Sequence, residues 1–208
     1  MTETKRSERP FVLCLTGSLG MGKTTAARFF AEAGVAVHDS DAVVHALYEG
    51  EAVSVIEQAF PGSTAGGKVD RMRLAAMVLN DAAALARLES IVHPLVSAST
   101  DEFLAQAQAA GEKVVVLDVP LLFEAELDCR CDAIVVVSAP PDIQRRRAFD
   151  RPGMTEDKFA AILAKQMPDA EKRKRADFVL DSSGTFEYAR GQVRDILRAV
   201  AKMSPRRR

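Results

Sequence analysis

No run of about 18 uninterrupted apolar residues occurs in this 208-residue chain, which excludes a membrane-spanning helix. Cysteine is scarce: Cys14, Cys129 and Cys131 are all there is. The last two form C-x-C, and no second pair stands at zinc-ligand spacing, so neither a structural zinc site nor a disulfide framework is indicated. Cys14 lies in an apolar run and is expected to pack as a small apolar side chain, in a chain suited to a reducing cytoplasm. An excess of one charge is also missing. The net charge is −1, which gives no global footprint for nucleic acid. No internal repeat or low-complexity tract is present. Residues 1–10 are polar and charged, without the apolar stretch of a signal peptide, and they and residues 204–208 are expected to be flexible. What remains is 48% hydrophobic and 27% charged. That suits one compact α/β domain with room for a small insertion, and a core of this size needs no disulfide staples.

Against this background stands Gly17-Ser18-Leu19-Gly20-Met21-Gly22-Lys23-Thr24, which fits the phosphate-loop pattern G-x-x-x-x-G-K-[ST] at every fixed position. Apolar Phe11–Leu15 precedes it and reads as a buried strand; Thr25–Ala31 follows and reads as a helix. Glycines let successive backbone N–H groups turn inward onto phosphate oxygens, and the helix N-terminus adds its positive dipole end. Gly17, Leu19, Gly20, Met21, Gly22, Lys23, Thr24 and Thr25 are therefore candidate nucleotide-binding residues. Lys23 can reach the β- and γ-phosphates, and the Thr24 hydroxyl can join a Mg²⁺ shell.

Further along, Val35–Val37 reads as a second strand ending in His38-Asp39-Ser40-Asp41. Residues 42–48 read as helix. The alanine-rich stretch 52–111 reads as a helical insertion without a convincing strand, broken at Pro61-Gly62-Ser63, Gly66-Gly67 and His93-Pro94. Val114–Asp118 and Ala133–Val137 have the continuous apolar character of buried parallel strands. Residues 119–124 are expected to turn into a helix. A helix carrying Arg145, Arg146 and Arg147 is broken at Arg151-Pro152-Gly153 and resumes through Gln166. A fifth strand, Phe178–Leu180, and a closing helix over 186–203 complete a parallel sheet with helical crossovers. Residues 142–175 hold ten Lys/Arg against six Asp/Glu, a basic segment able to close over an anion, although Lys172–Arg175 reads as a solvated helix face.

Ligands of such sheets bind at the carboxyl ends of the strands. Asp39, Asp41 and Asp118 all fall there. Asp41 is the candidate base for an attacking hydroxyl, with Asp39 either joining it or capping the next helix. Asp118 ends an apolar strand as an acid able to reach the Mg²⁺ shell. Arg147 is a candidate for binding two γ-oxygens at once from a mobile lid. His45 reads as a packing residue, and His93, before Pro94, as the shaper of a helix start.

Taken in order, T-G-S-L-G-M-G-K-T at 16–24, D-S-D at 39–41, H-P at 93–94, D-V-P-L-L-F-E at 118–124, R-A-F-D-R at 147–151, Gln166 and A-D-F-V-L-D at 176–181 resemble the dephospho-CoA kinase family. The resemblance implies a P-loop NTPase-type α/β fold: a five-stranded parallel sheet flanked by helices, with a helical substrate-binding insertion and a small helical lid. It divides the chain into a nucleotide core (11–50, 112–141 and 176–203), a helical CoA-substrate region (51–111) and a lid (142–175). It implies a cytoplasmic enzyme, monomeric or a small homo-oligomer, without nucleic-acid or membrane partners. The implied reaction transfers the γ-phosphoryl of ATP, with Mg²⁺, to the ribose 3′-hydroxyl of dephospho-CoA, the final step of coenzyme A synthesis. Asp41 matches the family's proposed base and Arg147 its lid arginine. Thr16, Asp41, His93, Pro120 and Leu121 fall on the substrate side. Ser182 and Ser183 follow the last strand where the family commonly has asparagine. The alternatives are another small-molecule P-loop kinase, for a nucleoside monophosphate, shikimate or a sugar acid, and a nucleotide-dependent switch. Two D-x-x-G matches would suit the switch, but no N-K-x-D guanine-reading motif accompanies them.

Overall fold

The structure is a computed structural model, and it describes residues 9–79 and 81–206. In chain order the elements are β1 (Phe11–Thr16), α1 (Lys23–Glu32), β2 (Ala36–Asp39), α2 (Ser40–Glu49), α3 (Ala52–Ala59), β3 (Thr64–Ala65), β4 (Lys68–Val69), α4 (Arg71–Val78) and α5 (Ala82–Ala109). There follow β5 (Val114–Asp118), a 3₁₀ turn (Leu127–Arg130), β6 (Ala133–Ser138), α6 (Pro141–Phe149), α7 (Glu156–Ala164), α8 (Asp169–Arg175), β7 (Phe178–Asp181) and α9 (Phe186–Val200). The chain divides into two compact units, 39–105 and the remainder.

The larger unit is built on a sheet of order β2-β5-β1-β6-β7. β1 pairs in parallel with β5 and β6, Leu13 standing opposite Val116 and Ala133, and β6 pairs in parallel with β7. These strands are continuous apolar runs because both faces are covered. On one face Leu13, Leu15, Val135 and Val137 pack with Phe29 and Phe30 of α1 and with Val193 and Ile196 of α9. The five-stranded parallel sheet flanked by helices is the architecture expected from the sequence.

In the smaller unit, Leu47, Ile56, Phe60, Leu74, Leu88 and Val92 form a separate apolar core. The unit is not wholly helical: β3 and β4 pair antiparallel, Thr64 opposite Val69. These two-residue strands are too short for periodicity to reveal. Glu57 secures their turn, its carboxylate accepting from Gly62 N, Thr64 N and Thr64 Oγ1 at 2.7–3.0 Å. A second expectation fails at Pro94. It interrupts no helix, because α5 runs through it and His93 is mid-helix. Val92, Leu95 and Val96 pack into the same core, and that burial carries the helix past the missing N–H.

Other departures lie in the larger unit. Residues 119–126 form turns rather than a helix, with Val119 N donating to Leu15 O and Thr16 Oγ1 to Pro120 O. Cys14 does not simply pack: it is joined to Cys131 by a disulfide. Leu13 pairs with Ala133, so the residues just before β6 run alongside β1, and the two cysteines meet across 117 residues of sequence. Nor is Lys172 part of a solvated run, since its side chain is fully buried.

Both ends of the described chain meet at Asp132. Its carboxylate accepts from Arg9 in two hydrogen bonds (2.6 and 2.7 Å), from Val12 N and from Arg206 N, so Arg9 and Arg206, expected in loose termini, are tied down. Burial alone would raise the Asp132 carboxyl, but Arg9 and the two backbone donors hold it below the ordinary carboxylate range. Such a group contributes stability above its unfolded pKa, about 3.9, and loses it as pH falls through the lower folded value. Asp132→Asn is expected to lower unfolding free energy at pH 7 by about 3 kcal/mol. In urea titrations between pH 3 and 7, the variant's stability should fall less steeply in acid than that of the parent. Parallel curves would remove Asp132 from this role.

Candidate active site

The phosphate loop leaves β1 at Thr16 and enters α1 at Lys23. Gly20 and Gly22 carry φ of 78° and 88°, left-handed values that side chains resist. Space is equally restrictive, since a Cβ on Gly20 would lie 2.5 Å from Gln144 O. Gly22 caps α1 with no side-chain hydrogen bond, and no acid occupies the first turn. The N–H groups of Gly20, Gly22, Lys23 and Thr24 have no protein partner among the described residues. Four open donors at a helix N-terminus make an anion site.

Lys23 Nζ lies 2.7 Å from Asp118 Oδ1, whose residue is 2% exposed at the end of β5. This buried contact brings together the two groups that the sequence placed at the ends of different strands. The exposed Thr24 opens α1 beside it. Among the described residues no cluster of three His, Cys, Asp or Glu could hold a metal alone. Mg²⁺ asks for less, one or two protein oxygens besides phosphate and water, and the Thr24 hydroxyl and Asp118 carboxylate are oxygens of that kind. Thr16, fully buried, bonds to Pro120 O, while Leu121 next to it is half exposed.

Arg147 is fixed to the residue after β7. Its Nη1 donates to Ser182 Oγ (2.8 Å) and its Nη2 to Ser182 O (2.7 Å). Ser182 Oγ donates in turn to Met21 O within the loop (2.7 Å). A Cβ on Gly22 would stand 3.2 Å from Ser182 Oγ and 3.5 Å from Arg147 Nη1, so the guanidinium packs directly over the loop. Beside it the Asp181 carboxyl is held below its usual range, first by the Ser183 hydroxyl and N–H and then by Arg147 and Arg173. Arg145 turns away to pair with Glu156, as expected for three consecutive arginines on one helix.

Sequence reasoning assigned no role to Ser182, Gln144 or Glu124. Gln144 Nε2 donates to Leu19 O (2.8 Å), and Gln166 Oε1 accepts from Leu19 N (3.1 Å). Glutamine side chains are common on helices, and nothing in their spacing reports a distant partner.

Asp39, Asp41 and His93 belong to the helical unit. Asp39 Oδ1 accepts from Asp41 N and Ala42 N at 2.9 and 3.0 Å, so its role is to cap α2. Asp41, in the first turn, is exposed, and its carboxylate carries no hydrogen bond among the described residues. His93 and Pro94 are exposed on α5. A cleft of about 420 Å³ between α2 and α5 is lined by Val43, Leu47, Leu95, Ser99 and Glu102, among others.

The family model for dephospho-CoA kinase matches residues 11–187. A dephospho-CoA kinase of Rhodopseudomonas palustris (strain BisB18) is 58% identical over 94% of this chain and 98% of its own. Another, of Bradyrhizobium diazoefficiens, is 59% identical over the same shares. Among solved structures, a protein from Thermus thermophilus shares 33% identity with a TM-score of 0.82, covering 92% of this chain and 98% of that one. Dephospho-CoA kinase from Campylobacter jejuni shares the fold at 21% identity and a TM-score of 0.63, over 91% of this chain and 96% of that one. A matched segment that spans the phosphate loop, the Asp118–Glu124 motif and β7, together with relatives alike over nearly their whole length, shows that the chain belongs to the dephospho-CoA kinase family.

Proposed function

We propose that this protein transfers the γ-phosphoryl of ATP to the ribose 3′-hydroxyl of dephospho-CoA, giving coenzyme A and ADP, and that it does so in the cytoplasm. The observation that carries the reading is the open set of loop N–H groups at α1, in a chain that matches this family from residue 11 to 187. Another small-molecule P-loop kinase would share the loop but not the family match.

In this reading the loop from Gly17 to Thr25 cradles the phosphates. Lys23 leaves Asp118 for the β- and γ-oxygens, since both are within reach of the loop mouth. Mg²⁺ would be held by the Thr24 hydroxyl and the Asp118 carboxylate, and would supply charge neutralisation across the phosphates. Asp41 accepts the proton of the 3′-hydroxyl as that oxygen bonds to the γ-phosphorus and the bond to the β-phosphate oxygen breaks. Its exposed, uncapped carboxylate suits this role because Asp39 already serves the helix. Arg147, packed over Gly22, stabilises charge on the transferring group. Thr16, Pro120 and Leu121 line the acceptor side, and His93 with the rest of 51–111 holds the CoA moiety. Residues 142–175 act as the lid. The acceptor is a small molecule, nucleic acid plays no part, and one chain or a small homo-oligomer suffices.

ADP release from ATP and Mg²⁺ should depend on dephospho-CoA, with coenzyme A as the product; stimulation by AMP or shikimate instead would replace the acceptor. Asp41→Asn should remove most turnover while leaving ATP affinity, measured by titration calorimetry, nearly intact; a collapse of ATP affinity would make Asp41 a structural or metal-shell residue. Arg147→Ala should lower kcat by about 10³-fold, the range of an arginine finger. A loss under about tenfold would leave Arg147 as a partner of Ser182 and no more.

A further inference from the structure

Lys172 is fully buried, an unusual place for an ammonium group. Its Nζ lies 2.9 Å from Glu124 Oε1, and Glu124 Oε2 has no hydrogen-bond partner among the described residues. A buried pair of this kind is weak as a source of stability, because desolvating both charges offsets much of their attraction. What the pair holds in place is more telling. Glu124 Oε1 also accepts from Met167 N at 2.7 Å, so one carboxylate grips the chain both before and within α8. Asp169, at the start of α8, is fixed separately by Ser138 Oγ (2.8 Å) at the end of β6.

The residue next to Met167 is Gln166, whose side chain accepts from Leu19 N in the phosphate loop. On the other side of the same residue Gln144 donates to Leu19 O. Leu19 is thus held by both its backbone groups. With its N–H turned to Gln166, the open donors of Gly20, Gly22, Lys23 and Thr24 are left for phosphate. Glu124 touches neither the loop nor any group assigned to the reaction.

We propose that Glu124 and Lys172 form a positioning pair for the phosphate loop. Buried between the segment after β5 and α8, they set the backbone at Met167 so that Gln166 meets Leu19 N–H and fixes the loop before nucleotide arrives. The inference rests on the ATP-dependent kinase reading above and assigns this family-like D-V-P-L-L-F-E segment a task on the nucleotide side.

A single substitution would strand a buried charge and unfold the site, so the decisive variant replaces both, Glu124→Leu with Lys172→Met. Its thermal midpoint should stay within a few degrees of the parent. Its KM for ATP should rise about five- to tenfold, the loss of roughly one hydrogen bond's positioning, while KM for dephospho-CoA stays unchanged. Gln166→Ala, which buries no charge, should produce the same ATP defect alone, and combining it with the double variant should add little. An unchanged ATP KM in Gln166→Ala, or in a folded double variant, overturns the proposal. So does full additivity of the two defects. Should the double variant not fold, Gln166→Ala still decides. The readout is on ATP, so failure of dephospho-CoA as acceptor for the parent enzyme would overturn the acceptor assignment and leave this test standing.

Discussion

A loop that offers backbone N–H groups to a phosphate must keep them unpaired in its absence, and most of the larger unit is arranged around that constraint. Left alone, such a segment would fold its donors onto its own carbonyls or onto water. Here left-handed Gly20 and Gly22 set the path. Gln144 lies so close to Gly20, and Ser182 so close to Gly22, that a side chain at either position would crowd its neighbour. Ser182 Oγ occupies Met21 O and Gln144 occupies Leu19 O, so two loop carbonyls already have donors. The N–H groups of Gly20, Gly22, Lys23 and Thr24 are left over, with no protein partner among the described residues. The rigid sheet supports this, since Met21 is buried and its sulfur accepts from Ala139 N just beyond β6.

Lys23 and Asp118 express the same constraint in charge. A lysine aimed at a phosphate site needs a counter-charge when the site is empty, and a carboxylate at the end of β5 provides one at 2.7 Å. Lys23 and Asp118 thus balance each other's charge where the loop meets the end of β5.

Much of this was legible in the sequence because local rules and the fold agreed. The strands are unbroken apolar runs, the loop has an eight-residue signature, and Asp39 and Asp41 sit where a capping pattern predicts one of them to be occupied. The misreadings share a cause. Pro94 was read by its local preference, yet burial of Val92 and Leu95 on the same helix outweighed it. The β3–β4 hairpin is set by a Glu57 carboxylate gripping a turn, which leaves no periodic trace. Cys14 and Cys131 meet through the β1–β6 register, and Lys172 is buried with its ammonium against Glu124. Pairings between distant residues depend on topology, and local pattern carries no information about them. For the same reason the candidate site was legible as motifs, whereas the Gln144, Gln166 and Ser182 contacts that hold the loop were not.

The two ends of the sheet show one chemistry used in opposite ways. At the amino ends of the strands, backbone donors find negative oxygen within the protein: Val12 N bonds to Asp132, and Ile134 N to Asp177. Each of these acids returns the contact through its own N–H, Asp132 to Val12 O and Asp177 to Ile134 O. The arginines at residues 9 and 206 then balance the charge. At the carboxyl end of β1 the loop donors have no such acid among the described residues, and the Asp118 carboxylate is paired with Lys23. An acid side chain placed on those donors would satisfy them as well as Asp132 satisfies Val12, and would close the site to phosphate. The absence of any acid from the first turn of α1 is therefore as much a part of the site as the glycines, because it leaves the positive end of the helix to an anionic ligand.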